Sequence, residues 1–390
     1  MRMTLVFAAL AAACFDCLAA RPLLPTGQGD QVPVRLVALP LPAGQFERAP
    51  VNFSWPLDPQ DALARPAPHR SQSREYWQTV EAPDLAKGVD LTLSSAGALI
   101  RVSPARGATP LAPAQVALRD AGDRPVRLQS IASDAQLKAA GMDVDRGTVV
   151  VKLAADHGAG RYRLTAPIAA HGRYLLHVFE PDSNVVLSAQ ARADRALAGS
   201  QVAVDLTLTR GAAISPGVQA QALLVAPGGR SYPAQVRAGT AGRMTAIAAV
   251  PASAQAGQGL WELQVFASAQ GIQRDSRTAF AVIQPTARFD GGYAVDAGAL
   301  RMSLPIQAAS PGRYEVRGTL YATAPDRTLR PVAQAHSAAW LEKARGVLVL
   351  DFERAHLPAG YGAPFEVRQL ELLDQTRMAP LELRARAVRF

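Results

Sequence analysis

The two cysteines, Cys14 and Cys17, stand in the Cys-x-x-Cys spacing that supports disulfide exchange when a helix N-terminus lowers one thiol pKa. Nothing around them supplies that setting, because Arg21-Pro22 and a proline-rich stretch follow. A structural metal would want four ligands, and there is no second cysteine pair. The surroundings read instead as a secretory signal. Met1-Arg2-Met3 gives a positive start, Thr4 to Ala13 an apolar run, and Cys17-Leu18-Ala19 a small-x-small ending, which predicts cleavage between Ala19 and Ala20. The alternative is lipidation of Cys14 as the mature N-terminus. Ala11-Ala12-Ala13 are small enough for this, but Leu10 lies one place upstream of where a large aliphatic residue is expected. Cleavage after Ala19 removes every cysteine, so the exported chain must be stabilised by buried apolar area and not by disulfides.

Other residues with chemical potential are dispersed. The histidines, His69, His157, His171, His177, His336 and His356, form no His-x-x-x-His pair and no His-Glu-x-x-His motif. Asp143-x-Asp145-x-Gly147 opens like a calcium loop, but Thr148 already begins a strand where further oxygen ligands are needed, so an acidic turn is expected. No Gly-x-Ser-x-Gly elbow or Gly-x-x-x-x-Gly-Lys phosphate cradle occurs. Trp340, Tyr361 and Phe365 lie near the loop-like run HLPAGYGAPFEV and are candidates for stacking on sugar rings, with core packing as the simpler role. No catalytic, cofactor-binding or metal-binding residue is assigned, and no cofactor is expected.

The net charge of +9 raises the question of nucleic acid or an anionic envelope surface. Lysine occurs four times among the 41 basic residues, so 37 are arginines, in a chain also rich in alanine; GC-rich coding accounts for both. The arginines are scattered at alternating positions, as in Arg161-x-Arg163 and Arg384-x-Arg386, which is the pattern of solvated strand faces. No nucleic-acid partner is expected. The apolar run near the start is too short to span a bilayer, and no later one is long enough.

From Pro22 to Pro68 prolines recur so often that neither a central strand nor a long helix is possible. This arm, residues 20–74, is expected to dock on the first domain through Val32, Val34, Leu36, Val37, Phe53 and Trp55. Beyond it, period-two alternation dominates, as in Val149, Val151 and Leu153, and in Val202, Val204, Leu206 and Leu208. Pro181-Asp182-Ser183-Asn184 is expected to join Arg173–Glu180 to the Val185–Ala191 run as a hairpin. The one clear helix signal is Ser133-Asp134 through Ala140, with Gly141 behind it. A glycine and an aromatic recur at strand starts, in Gly160-Arg161-Tyr162, Gly172-Arg173-Tyr174, Gly259-Leu260-Trp261 and Gly312-Arg313-Tyr314. Phe365 and Val367, then Leu370 and Leu372, change phase as a β-bulge would on an edge strand. The expected architecture is all-β: three tandem immunoglobulin-like antiparallel sandwiches at 75–197, 198–285 and 286–390, behind the arm and a signal peptide at 1–19.

The run SPGRYEVRGTLYATAPDRTLRPVAQAHSAAW through GVLVLDFERAHLPAGYGAPFEVRQLELLD resembles the terminal β-sandwich of exported proteobacterial proteins grouped in a domain-of-unknown-function family with tandem immunoglobulin-like modules, and GQGLWELQVFASAQGIQRDSRTAFAV resembles their middle module. The resemblance implies the fold and export to the periplasm or the cell exterior, and it brings no activity. The expected function is a non-catalytic binding or structural role in the cell envelope, with sandwich-end loops contacting an envelope, glycan or protein ligand. The alternatives are an exported hydrolase or accessory factor with a site assembled from distant strands, and a surface adhesin or lipid-anchored protein.

Overall fold

A computed structural model describes residues 20–27, 29–63, 66–254, 259–342 and 344–390. Cys14, Cys17 and Ala19 lie outside the described residues, while Ala20 is exposed at the start of the arm. The chain divides into two compact units, one of residues 66–283 and one in which the arm up to residue 65 joins residues 284–390.

In the unit of residues 66–283, a five-stranded antiparallel sheet runs in the order Glu75–Glu81, Arg173–Phe179, Leu99–Pro104, Val149–Leu153, Leu128–Ser133. It shares a core with a three-stranded sheet, Val89–Leu93, Gly160–Thr165 and Ala117–Asp120. Alternation aims Val149, Val151 and Leu153 inward together with Leu164 and Leu176, and all five are buried. The expected helix is present as Asp134–Ala139: Ser133 caps it by accepting from the Gln136 amide, and the Gln136 side chain returns to the Ser133 amide. A second short helix, Ala82–Lys87, went unread, since its six residues are too few to show a 3.6-residue period.

The remaining strands of this unit form one ten-stranded sheet, from Arg195–Leu197 through Ile272–Ile283, Trp261–Ala269, Gln219–Val225, Ser231–Ala238, Met244–Ala249, Gln201–Arg210 and Val185–Ala191 to Arg70–Ser73, with Ala213–Ile214 beside Gln201–Arg210. It folds over so that Leu187, Leu206 and Leu208 share a core with Leu263, Val265 and Phe280. The expected hairpin does not form. Val185–Ala191 pairs with Gln201–Arg210 and Arg70–Ser73, not with Arg173–Phe179, so the turn at 181–184 passes the chain from the first sandwich to the next. A turn signal marks a reversal of direction but leaves the pairing partner open. Arg195–Leu197 also lies parallel to Ile272–Ile283 in an otherwise antiparallel sheet.

In the second unit, one sheet runs Val51–Pro56, Leu329–Leu341, Gly312–Thr323, Gly362–Asp374, Ala379–Arg389. The other runs Arg21–Pro22, Gly292–Asp296, Arg301–Ala308, Ala287–Phe289, with Ala344–Asp351 on Arg301–Ala308. The arm therefore docks on the C-terminal sandwich and not on the first domain, apart from Arg70–Ser73, which joins the ten-stranded sheet beside Val185–Ala191. Arg21–Pro22 pairs with Gly292–Asp296, Val51–Pro56 pairs with Leu329–Leu341, and Gln31 bridges Leu383. The physical reason is that the C-terminal sandwich offers sheet edges and arginine donors to a segment that proline has depleted of its own donors. Asp58-Pro59 makes a turn, closed by the Asp61 amide on the Asp58 carbonyl.

The recurring aromatics Tyr162, Tyr174, Trp261 and Tyr314 are all buried at strand starts. Tyr162 donates to the Gly158 carbonyl and Tyr314 to the Ser310 carbonyl, each four residues upstream, which ties strand to preceding turn much as a tyrosine corner does. Only two of the four glycines need their freedom. Gly172 and Gly259 have positive φ, and a Cβ on Gly172 would lie 2.5 Å from Ala108. The phase change after Val367 is a register shift between Val367 and Arg368, with Gln369 at positive φ. It bends an interior strand, because Ala379–Arg389 occupies the sheet edge.

Candidate functional site

On the first sheet of the C-terminal sandwich, register places Phe53 opposite His336, His336 opposite Arg317, and Arg313 opposite Trp340. Alternation then presents Phe53, Trp55, Gln334, His336, Trp340, Arg313, Glu315 and Arg317 on one face, while Tyr314, Val316, Ala335 and Ser337 turn to the core. Phe53, Trp55 and His336 form a nearly equilateral triangle of rings, with centroids 5.7, 5.4 and 5.0 Å apart and planes within 29° of one another. These separations are those of offset stacking. Phe53 is 48% exposed, so the triangle opens to solvent at the sheet edge.

Beneath the rings, His336 Nδ1 donates to Glu315 Oε1 at 2.7 Å, and Gln375 Nε2 donates to Glu315 Oε2 at 2.6 Å. The His336 hydrogen bond holds the Glu315 carboxyl below its usual range against the opposing effect of burial, with Gln375 and Arg317 assisting. An ionised carboxylate only accepts, so the Nδ1 proton is set and His336 Nε2 is left without a protein partner among the described residues. The arrangement offers apolar ring faces, one unused imidazole nitrogen, and amide and guanidinium donors on a firm sheet.

The sequence pointed to a different aromatic trio, which the fold separates. Trp340 faces Arg313 at the start of Gly312–Thr323, while Gly362, next to Tyr361, faces Thr323 at its end, about 33 Å away at ~3.3 Å per residue. Trp340 is covered by Arg48, 4.3 Å from its centroid, and by Phe46 at 6.3 Å, and it donates to Glu342. Phe365 is buried against Phe390. The signal for the true triangle was present in the alternation Val51-x-Phe53-x-Trp55, but its partner His336 is distant in sequence.

The histidines stay apart. His177 bonds Glu75 at 2.6 Å and stacks on Trp77, His171 meets Thr109, and His157 accepts from the Arg127 amide. Among the described residues no three His, Cys, Asp or Glu side chains group as a metal site. Asp143 and Asp145 are exposed in a turn closed by the Thr148 amide on the Asp145 carbonyl. Gly147 is required there by packing, since a Cβ would fall 2.6 Å from Pro110. One constellation resembles a hydrolytic triad: Ser54 Oγ lies 3.3 Å from His356 Nδ1, and Glu353 Oε2 lies 3.9 Å from Nε2. The Phe352 carbonyl, 3.2 Å from Nδ1, places the proton on that nitrogen, which cannot then accept one from Ser54.

The unit of residues 66–283 holds a second polar cluster. Arg274 and Glu180 are fully buried and paired at 2.7 Å. Arg274 also donates to Ser94, Ser183 and the Val185 carbonyl, and Glu180 accepts from the Ser94 and Ser95 amides. Alongside, Asp275 accepts from the Trp77 amide at 2.8 Å, covering a donor on an edge strand, and burial pushes its carboxyl up to about 6. With these partners in place the cluster joins two sandwiches.

Fold and faces together define an all-β, multi-sandwich protein with an aromatic surface patch. Residues 42–180 match the N-terminal domain, and residues 286–390 the C-terminal domain, of Domain of unknown function (DUF4785). The chain belongs to the DUF4785 family. Its fold is shared with a DUF4785 family protein of Legionella pneumophila, at 16% identity over 94% of this chain and 98% of that one, with a TM-score of 0.64. Fainter likenesses are to the Yersinia pseudotuberculosis adhesin InvE (15% identity, 52% and 58% of the chains, TM-score 0.19) and an ICAM-5 D1–D4 ectodomain fragment (14%, 93% and 98%, 0.24), and neither is close enough to carry an inference. No curated protein matches the sequence. Among the described residues no helix is long and apolar enough to cross a membrane.

Proposed function

We propose that this is an exported, non-catalytic binding protein of the bacterial cell envelope, and that it contacts a glycan through the outer face of its C-terminal sheet. The observation that carries the reading is the Phe53–Trp55–His336 triangle, an open patch of ring faces set above a fixed hydrogen-bonding network. The C–H face of a pyranose is apolar and stacks on such rings, while its hydroxyls seek polar groups like Gln334 and His336 Nε2 at the margin. Export rests on the signal-like residues 1–19, with cleavage between Ala19 and Ala20, and the periplasm or cell exterior is the proposed location.

The test is a titration of tryptophan fluorescence with purified envelope polysaccharides, with Trp55→Phe as the reference that separates Trp55 from Trp77, Trp261 and Trp340. Phe53→Ala should weaken binding by about tenfold, as expected for a central aromatic contact. Equal affinity in the variant would overturn the assignment of this face. Fractionation with N-terminal sequencing tests the location independently, and a cytoplasmic protein that retains residues 1–19 would remove that part of the proposal.

A further inference from the structure

The arm is held in an unusual way. Each proline removes an amide donor, so the extended segment offers the C-terminal sandwich mainly carbonyl oxygens, and four arginines of that sandwich donate to them. Arg384 reaches the Leu24 carbonyl at 3.2 Å, and Arg288 those of Pro33 and Val34 at 3.4 and 3.3 Å. Arg377 reaches Leu39 and Pro40 at 3.4 and 3.0 Å, and Arg313 reaches Glu47 and Ala49 at 3.3 and 2.6 Å. Among the described residues 20–50, only Leu23 and Pro33 are buried.

Recognition of this kind reads the backbone, and little apolar surface is lost when it opens. The bonds at Val34, Pro40, Glu47 and Ala49 are exposed and exchange readily with water, so the arm can open piecewise while the sandwich stays folded. Beyond Val51–Pro56 the segment stays on the same sandwich: the Leu57 amide donates to the Val332 carbonyl, Arg330 to Gln60 and Gln369 to the Leu63 carbonyl, so the held segment runs to Leu63.

We infer that the arm is an exchangeable strap: the track that holds it as far as Leu63 accepts the same segment from a second copy of this chain. Exchange preserves each of these contacts, so the two arrangements differ little in energy and protein concentration decides between them. In an exchanged pair, Phe53 and Trp55 of one copy would complete the ring triangle around His336 of the other. The inference itself does not depend on what that triangle binds.

The test uses full-length chains carrying Cys14→Ser and Cys17→Ser. Val51 and Ala338 are direct partners on antiparallel strands, close enough for a disulfide. The double variant Val51→Cys/Ala338→Cys sets the oxidation conditions and confirms the geometry. A Val51→Cys chain is then mixed with an Ala338→Cys chain, incubated and oxidised under those conditions. Only exchange brings these two cysteines into register. The expected result is a covalent dimer about tenfold above what either chain forms alone, and above a mixture of Val51→Cys with the exposed hairpin-tip variant Met378→Cys, since docking raises the local concentration of one thiol at the other. Arg313→Gln with Arg377→Gln in both chains should speed its appearance. Dimer no greater than in those controls, under conditions where the double variant oxidises fully, overturns the inference.

Discussion

Arginine fastens this protein in two contrasting ways. At the joint between the sandwiches of residues 66–283, Arg274 is fully buried against Glu180, and its other donors meet Ser94, Ser183, Val185 and Gln273. Along the arm, Arg288, Arg313 and Arg377 reach out to exposed backbone carbonyls at Val34, Pro40, Glu47 and Ala49, while Arg384, itself buried beside Glu382, adds only the Leu24 carbonyl. The buried pair is costly to desolvate and more costly to break, so it enforces one arrangement. The peripheral donors compete with water, so each contributes little and the arm can come away. The same side chain serves as a rigid joint in one place and a releasable clasp in the other, and burial makes the difference.

The contrast can be broken most sharply at the joint. Glu180→Gln removes one partner of a fully buried ion pair, and denaturant unfolding should register a loss of about 3–5 kcal/mol, with the sandwiches of residues 66–283 affected first. A loss near that of a surface pair would mean that the joint is wetter than its burial implies.

The next largest effect concerns pH. Asp275 has a folded pKa near 6, above its ordinary 3.8, so between those values the folded state binds more protons than the unfolded one. Stability from this group is therefore greatest below about pH 4, falls as pH rises toward 6, and stays lower above; the swing is roughly 3 kcal/mol. Asp275→Asn keeps an acceptor for the Trp77 amide and should remove this slope, so the variant gains on the wild type as pH increases. Parallel stability curves for the two proteins from pH 4 to 8 would place the carboxyl in water.

The smallest effect belongs to the clasp. Arg288→Gln, which loses the contacts to Pro33 and Val34, should change global stability by about 1 kcal/mol or less. Hydrogen exchange should nonetheless accelerate at the Val37 and Leu39 amides, which are bonded to Pro285 and Ser310, and remain unchanged within Gly312–Thr323. A large global loss with no local acceleration would show that the arm is as integral as the joint.

Much of the fold was legible because alternation is a local property. Val149, Val151 and Leu153 announce an inward face whichever strand lies beside them, and so do Val202, Val204, Leu206 and Leu208. The Ser133 cap and the glycine–aromatic strand starts are likewise carried within a few residues. Pairing partners were not legible. Val185–Ala191 and Arg173–Phe179 flank turn residues that suit a hairpin, yet each side of that turn finds its neighbours in a different sandwich. The candidate site was least legible of all. Trp340 and Tyr361 are closer in sequence than Phe53 and His336, but Trp340 and Tyr361 lie at opposite ends of a long strand, whereas Phe53 and His336 stand side by side.

By itself the chain determined an all-β protein in which side-chain alternation selects the buried face of each strand and proline excludes the arm from any helix or central strand. Both follow from torsion angles and hydrogen-bonding groups that each residue carries wherever it sits. Tertiary structure alone decided which sandwich receives the arm, which arginines become buried partners and which remain clasps, and which rings gather on one face. Those outcomes depend on backbone edges and desolvation at positions hundreds of residues apart, and they exist only once the sheets have closed.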